Sequence, residues 1–240
     1  GGLGSNKYGL TILDFHSGSP VISYNTDKSI DLQNTNAGIS NAAGELRYYT
    51  NGDILLDKNL ELVPGGQDLS RVDKERGIPI DQCALILDYP DRPDSYIVFY
   101  PYDTTYRIDT FGAGVSFLGL RYMIVEYDSL TKETRLSQKH SFAVRDTIND
   151  GGFTACRHAN GRDWWILIPE KSPATGIYKI LLDPEGLHVV DKQIMPTYIH
   201  NGVCVSSFSP DGNYFTFLSS VGRETGSFHY LFRFDRCNGE

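Results

Sequence analysis

The chain predicts an all-β protein built from blade-like antiparallel sheets, and three observations carry that reading. Aromatic and turn-forming residues are abundant, with 15 Tyr, 12 Phe and 24 Gly among 240 residues. Such a mixture suits pleated, half-buried surfaces joined by tight turns, and no stretch sustains the 3.6-residue periodicity of an amphipathic helix. Second, the stretch Ala155 to Pro169 is echoed by Ser206 to Leu218. In both, a strand-like run reaches Asn160-Gly161 or Asp211-Gly212 and continues into aromatic and aliphatic residues. Asn-Gly and Asp-Gly accept positive φ at low cost, as a two-strand turn requires. Third, these turns lie 51 residues apart, near the period of a propeller blade.

Taken in order, residues 1–36 predict N-terminal strands and a loop. Tyr8 to Phe15 alternates as an edge or closing strand would, the segment 16–20 turns it, Val21 to Tyr24 returns, and the polar stretch Asp27 to Asn36 reads as a loop. Residues 37–66 form a first repeat, with turns at Ala43-Gly44 and Asn51-Gly52. The charged segment 67–80, with Gly77 and Pro79, reads as an exposed connection on one rim. A second repeat spans 81–144 and carries an insertion at 101–119, where Gly112 to Gly114 reads as a loop. The third repeat, 145–200, turns again at Asp183 to Gly186, and 201–240 supplies a partial fourth ending in a turn with no strand beyond it. A closed ring takes roughly 4 to 8 blades, so further blades are expected to complete it.

A net charge of −8 and a pI near 5.2, without Lys/Arg clusters, exclude a nucleic-acid backbone as the expected partner. Mixed charge along the chain reads as a soluble surface, the alternative being an acidic ligand-binding rim. No apolar run reaches the ~20 residues that span a bilayer. The opening residues have neither a basic nor an apolar leader region, so any signal peptide is expected to have been removed or never present.

Cys83, Cys156, Cys204 and Cys237 are spaced by 73, 48 and 33 residues, which fits no zinc ribbon or finger. Free core thiols are the favoured reading for the first three; if one bridge forms, Cys204 with Cys237 is the expected pair. His158 suits a structural hydrogen bond beside its turn, and no His-x-His or His-x-x-x-His pair accompanies it. Asp88, Asp91 and Asp94, at intervals of three around two prolines, miss the alternating spacing of a calcium loop and read as turn residues. Gly112 to Gly114 lacks the third glycine and following helix of a nucleotide fingerprint, and Ser116 lacks the second glycine of a nucleophile elbow. Trp164-Trp165 and the run Tyr96 to Tyr102 suggest carbohydrate stacking, but neighbouring strand residues face opposite ways, so core packing is favoured. No catalytic, cofactor or metal site is assigned. The expected partner-binding rim is built by the connections 67–80 and 101–119, with Arg71, Arg76, Tyr102, Tyr106 and Phe111 as its contact residues.

In the segments Tyr8 to Phe15, Asn41 to Gly52, Arg157 to Trp165, Ser207 to Asn213 and Phe234 to Gly239, the chain resembles the N-terminal β-propeller domain of secreted, gliding-motility-associated and type IX secretion-related proteins of the Bacteroidota. It departs from that pattern in lacking a Trp- and Gly-rich opening and a C-terminal sorting domain. The resemblance implies a secreted or cell-surface, outer-membrane-associated module that binds other envelope or secreted proteins, and it implies no active site. A glycan-binding or glycan-active site in a central channel is the alternative, to be recognised by converging carboxylates and an exposed aromatic side chain.

Overall fold

The structure is a computed structural model that describes residues 10–15, 17–25, 30, 32, 34–70, 77–102, 107–109, 112–114, 117–171, 176–195, 203–220 and 226–240. Within them the chain is all-β and contains no helix. A hairpin of β1 (Leu10–Asp14) and β2 (Val21–Asn25) comes first. Four antiparallel sheets follow in chain order. The first comprises β3 (Ala37–Ser40), β4 (Leu46–Thr50) and β5 (Leu55–Asp57). In the second, β6 (Leu85–Asp88) and β7 (Ser95–Tyr102) are joined by a short hairpin, β8 (Arg107–Asp109) with β9 (Gly112–Gly114), to β10 (Gly119–Tyr127) and β11 (Thr134–Val144). The third holds β12 (Thr154–Arg157), β13 (Trp164–Pro169), β14 (Gly176–Asp183) and β15 (Gly186–Ile194). The fourth holds β16 (Val203–Phe208), β17 (Tyr214–Ser220) and β18 (Ser227–Arg233). Each sheet is a simple meander, so the turns after its first and third strands lie at one end and the second connection lies at the other.

The middle strands are apolar on both faces, which explains their unbroken hydrophobic runs. Side chains alternate across a strand. On β7, Tyr96, Val98 and Tyr100 therefore pack with Tyr48, Leu55, Val63 and Leu69 of the first sheet and its return, while Ile97 and Phe99 turn to the third sheet. There they meet Ile166, Ile168, Ile180 and Leu182. The opposite face of the third sheet offers Cys156, Trp165, Leu167 and Ile177 to Phe215, Phe217 and Phe234. Three apolar layers thus separate four sheets.

The segments leading into the first strands bond to one another at one end of the stack. The Cys204 amide donates to the Asp150 carbonyl at 3.1 Å, and the Phe153 amide donates to the Gln82 carbonyl at 3.1 Å. Ser206 reaches back through its amide to Gln82 Oε1 at 2.8 Å and through Oγ to the Gly152 carbonyl at 2.6 Å. Gly151, at φ +93°, passes between Asp81 and Cys204 with backbone oxygens where a Cβ would stand.

Three expectations are corrected. Gly112 to Gly114 is a strand paired with Arg107–Asp109, because its pairing uses backbone groups alone and glycine carries no strand signal. The connection 67–80 is not simply exposed: Leu69, Ser70 and Ile78 are buried. Asp53 accepts bonds from the Ser70 amide and hydroxyl at 3.2 and 3.0 Å, and Ile78 closes on the Asn51 carbonyl at 3.2 Å. The polar stretch before the first sheet likewise contributes Ile30 and Thr35 to buried positions, Thr35 Oγ1 donating to the Ile80 carbonyl.

Gly151 and Gly161 make a contrasting pair, since Gly161 at φ +76° has open space where a Cβ would go. Gly161→Ala is expected to cost about 1–2 kcal/mol of left-handed backbone strain. Gly151→Ala adds an overpacking cost of about 1–3 kcal/mol to the same strain, so its urea midpoint falls further. Equal midpoints for the two variants would contradict this packing of Gly151.

Candidate functional site

A large cleft opens at the end of the sheets that carries the first-to-second-strand turns. It encloses about 870 Å³ between the first-sheet turn at Ser40 to Ala43 and the second-sheet turn at Asp88 to Tyr96, with Arg157 of the third sheet at its far side. The second-sheet turn is closed by the Tyr89 amide donating to the Ser95 carbonyl at 2.9 Å, and Asp91 and Asp94 both take φ +55°. Aspartate tolerates that conformation better than most residues.

Each of the three aspartates singled out by spacing faces an arginine. Arg157 Nη2 donates to both Asp88 carboxylate oxygens, at 2.8 and 2.7 Å, and its guanidinium lies 3.8 Å from the Trp164 ring centre. Arg162 Nη1 donates to Asp91 Oδ2 at 3.1 Å. Arg47, largely buried and 4.7 Å from the Tyr127 ring centre, stands 3.5 Å from Asp94 Oδ1. One turn therefore holds the first sheet on one side and the third on the other. Arg92 adds a further tie: it covers the Tyr89 ring at 4.1 Å and donates to the Pro184 carbonyl at 3.0 Å.

Sheets three and four are tied at the same end by bonds to backbone carbonyls instead. Ala159 N–H and Trp165 Nε1–H donate to the Arg236 carbonyl at 3.0 and 2.9 Å. His158 Nδ1 accepts from the Asn160 amide at 3.1 Å, which leaves Nε2–H to donate to the Cys237 carbonyl at 3.1 Å. His158 thus ties a turn, as its position suggested. Trp165 is core, and Trp164 donates to the Asp88 carbonyl at 3.1 Å beneath Arg157.

A second polar cluster lies at the opposite end of the third sheet. Tyr178 donates a short bond to Asp146, and Lys192 reaches Glu170 Oε1 at 3.0 Å and Asp146 Oδ2 at 3.9 Å. The Tyr178 bond, with help from Lys192, holds the Asp146 carboxyl below its ordinary range against the effect of burial. Burial foremost, then Asp146, raises the Tyr178 phenol. A carboxylate kept ionised beside a phenol kept neutral acts as a lock and is poorly suited to deliver a proton at neutral pH.

Of the rim expected from sequence, Arg71, Arg76, Tyr106 and Phe111 lie outside the described residues. Tyr102 is half-buried at the end of β7 away from the cleft, stacked 3.7 Å from the Arg121 guanidinium and edge-on to Phe142 at 5.2 Å. The cysteines are free. Cys204 is buried between the third and fourth sheets while Cys237 sits on an exposed turn, so the expected pair is corrected. Burial pushes the Cys156 and Cys204 thiols up to about 12 and Cys83 well above its usual value. Among the described residues, no group of three or more His, Cys, Asp or Glu side chains is placed to hold a metal ion, and no helix is long and apolar enough to cross a membrane.

No protein-family model matches the chain, and no curated protein or solved structure matches it either.

Asp163, buried under the third-sheet turn, yields a pH prediction. Arg162 Nε donates to its Oδ1 at 2.7 Å and Asn160 Nδ2 to its Oδ2 at 2.6 Å. The Arg162 bond outweighs burial and, with Asn160, depresses the carboxyl. A depressed carboxyl contributes stability that is full above its unfolded value of about 4 and is lost as pH falls through the folded value. Asp163→Asn is therefore expected to be less stable than the parent at about pH 6, the gap closing toward about pH 2 in parallel urea titrations. A gap unchanged with pH would contradict this account.

Proposed function

We propose that the four sheets are consecutive blades of a β-propeller and that the chain is a non-enzymatic protein-binding or scaffolding module of a secreted or cell-surface protein. Three features support the blade reading. The sheets are meanders in strict chain order, their faces meet through three apolar layers, and the segments leading into their first strands are linked by backbone bonds at one end. The resemblance to propeller domains of the gliding and type IX secretion systems adds the expected setting, the outer membrane and its secreted proteins.

The observation that carries the binding role is the cleft of about 870 Å³ spanning parts of three sheets. Its walls present Arg47, Arg92 and Arg157 with Tyr89 and Tyr96, residue types enriched where proteins meet. Those arginines are already oriented by carboxylates, rings or a carbonyl, so little side-chain freedom remains to be lost on docking.

Ala42, exposed on the first-sheet lip, allows a test that leaves the ion pairs intact. Solubilised envelope and secreted fractions of a gliding bacterium are passed over the immobilised parent and over Ala42→Trp. A discrete protein held by the parent and weakened about tenfold or more by Ala42→Trp is the expected result. Equal retention by both chains removes the cleft from the proposal. A glycan-array signal lost in Ala42→Trp, with no protein retained, replaces protein binding by glycan binding.

A further inference from the structure

Arg47 lies in a wall that two clefts share. On one side is the cleft of about 870 Å³ described above. On the other is a second cleft of about 460 Å³, lined from the first sheet by Arg47 and the turn after β5, and from the second by the turn between β10 and β11. The Arg47 side chain is only 13% exposed, and its Nε is buried with no acceptor. Its nearest carboxylate oxygens, Asp94 Oδ1 and Glu45 Oε2, stand 3.5 and 3.9 Å from Nη2. A well-made N–H···O bond spans about 2.7–3.2 Å, and a guanidinium carries five N–H donors. This guanidinium therefore keeps donor capacity that the described residues leave unused. Buried donors without good partners are rare in folded proteins and mark a place where a further acceptor belongs.

The charges around the second cleft point to the kind of acceptor. Arg47, Lys58 and Lys132 line it against Glu45 and Asp57. Both carboxylates are already engaged by neighbours on their own sheet. Asp57 Oδ1 accepts from the Asn59 and Glu61 amides at 2.8 and 2.9 Å, and Glu45 Oε2 accepts from Asn41 Nδ2 at 3.0 Å. The Lys58 and Lys132 amines have no carboxylate within ion-pair distance among the described residues. Their backbones are fixed. The Leu60 amide closes the first turn on the Asp57 carbonyl at 3.0 Å, and Lys132, at φ +64°, donates its amide to the Asp128 carbonyl at 2.8 Å. The chain as a whole carries a net charge of −8, so this local excess of cations runs against the field of the molecule.

We propose that this second cleft is an oxyanion site that takes a phosphate or sulfate group, with Arg47 as its anchor and Lys58 and Lys132 at its rim. An arginine fork holds two oxygens at once, and a lysine adds a point charge on a flexible stem. A doubly charged tetrahedral group suits an excess of cations drawn from two sheets better than a single carboxylate does. A volume of about 460 Å³ lies within the range of small-ligand sites, which leaves room for the sugar or other small molecule that carries the group. The site is separate from the docking surface assigned to the larger cleft and does not rest on that reading.

The test titrates the isotope-labelled full chain with sodium phosphate, sodium sulfate and sodium acetate, sodium chloride holding the ionic strength constant, and follows the amides by NMR. Saturating shifts at Lys58, Asn59, Ser129 and Lys132 are expected with phosphate or sulfate, at a Kd of about 1 mM or tighter. The tighter of the two anions identifies the ester that the site prefers. Lys58→Glu and Lys132→Glu, at exposed positions where changes leave a fold largely intact, are each expected to weaken binding about tenfold. Arg47→Lys keeps the charge but loses the fork, and is expected to weaken binding as well; the lysine variants carry the test should it lose sheet content by circular dichroism. The proposal is overturned if neither phosphate nor sulfate gives a saturating shift, if acetate binds as tightly, or if both lysine variants bind as the parent does. Shifts lost in Ala42→Trp place the anion in the larger cleft and overturn it too.

Discussion

The constraint on which the structure depends is that its central strands are apolar on both faces. A strand such as β7, with Tyr96, Val98 and Tyr100 on one side and Ile97 and Phe99 on the other, cannot rest with only one face covered. Burial is worth about 25 cal/mol per Å² of apolar surface, so exposing either face of a five-residue run costs several kcal/mol. Each such sheet therefore demands a neighbour on both sides, and the stack follows from that demand. Its layers are made by successive sheets because elements adjacent in sequence are usually adjacent in space.

Apolar faces alone do not decide how far one sheet slides or turns against the next, since dispersion and hydration are non-directional. The polar groups at the turns supply that direction. Asp88 receives two bonds from one guanidinium of the third sheet, and Asp94 faces Arg47 of the first. The Arg236 carbonyl takes two donors from the third sheet. Exposed ion pairs contribute about 0–1 kcal/mol each, so their role is one of orientation. They keep the walls of the cleft at a fixed spacing that the layers beneath leave free.

The parts of this arrangement that were legible in the sequence are those written locally. Asn160-Gly161 and Asp211-Gly212 announce their turns because a positive φ needs residues of that kind at that place. The runs Tyr96 to Tyr100 and Trp164 to Ile168 announce buried strands because two covered faces leave no polar positions in the pattern. His158 and the tryptophans were read as structural for the same local reasons, and they are held by the Cys237, Arg236 and Asp88 carbonyls. Pairings across the chain left no such trace. Nothing near Asp88 points to Arg157, and nothing in the charged run before Ile78 signals that Ile78 is almost fully buried. The spacing of Asp88, Asp91 and Asp94 was noticed, but its meaning lay in arginines on two other sheets.

That division between local and distant information also explains why the sequence points to the opposite end of the second sheet and carries no sign of the cleft. An insertion rich in aromatic residues draws attention in a sequence, whereas a cleft between turns is made of residues that each look like ordinary turn formers. Its chemistry exists only after the sheets have stacked. Ser40 to Ala43, Asp88 to Tyr96 and Arg157 come from three separate sheets and share a wall because the apolar faces beneath them had to be covered. The same demand that builds the core thus builds the cleft, and a substitution that let the second and third sheets slip would alter the cleft without touching any residue that lines it.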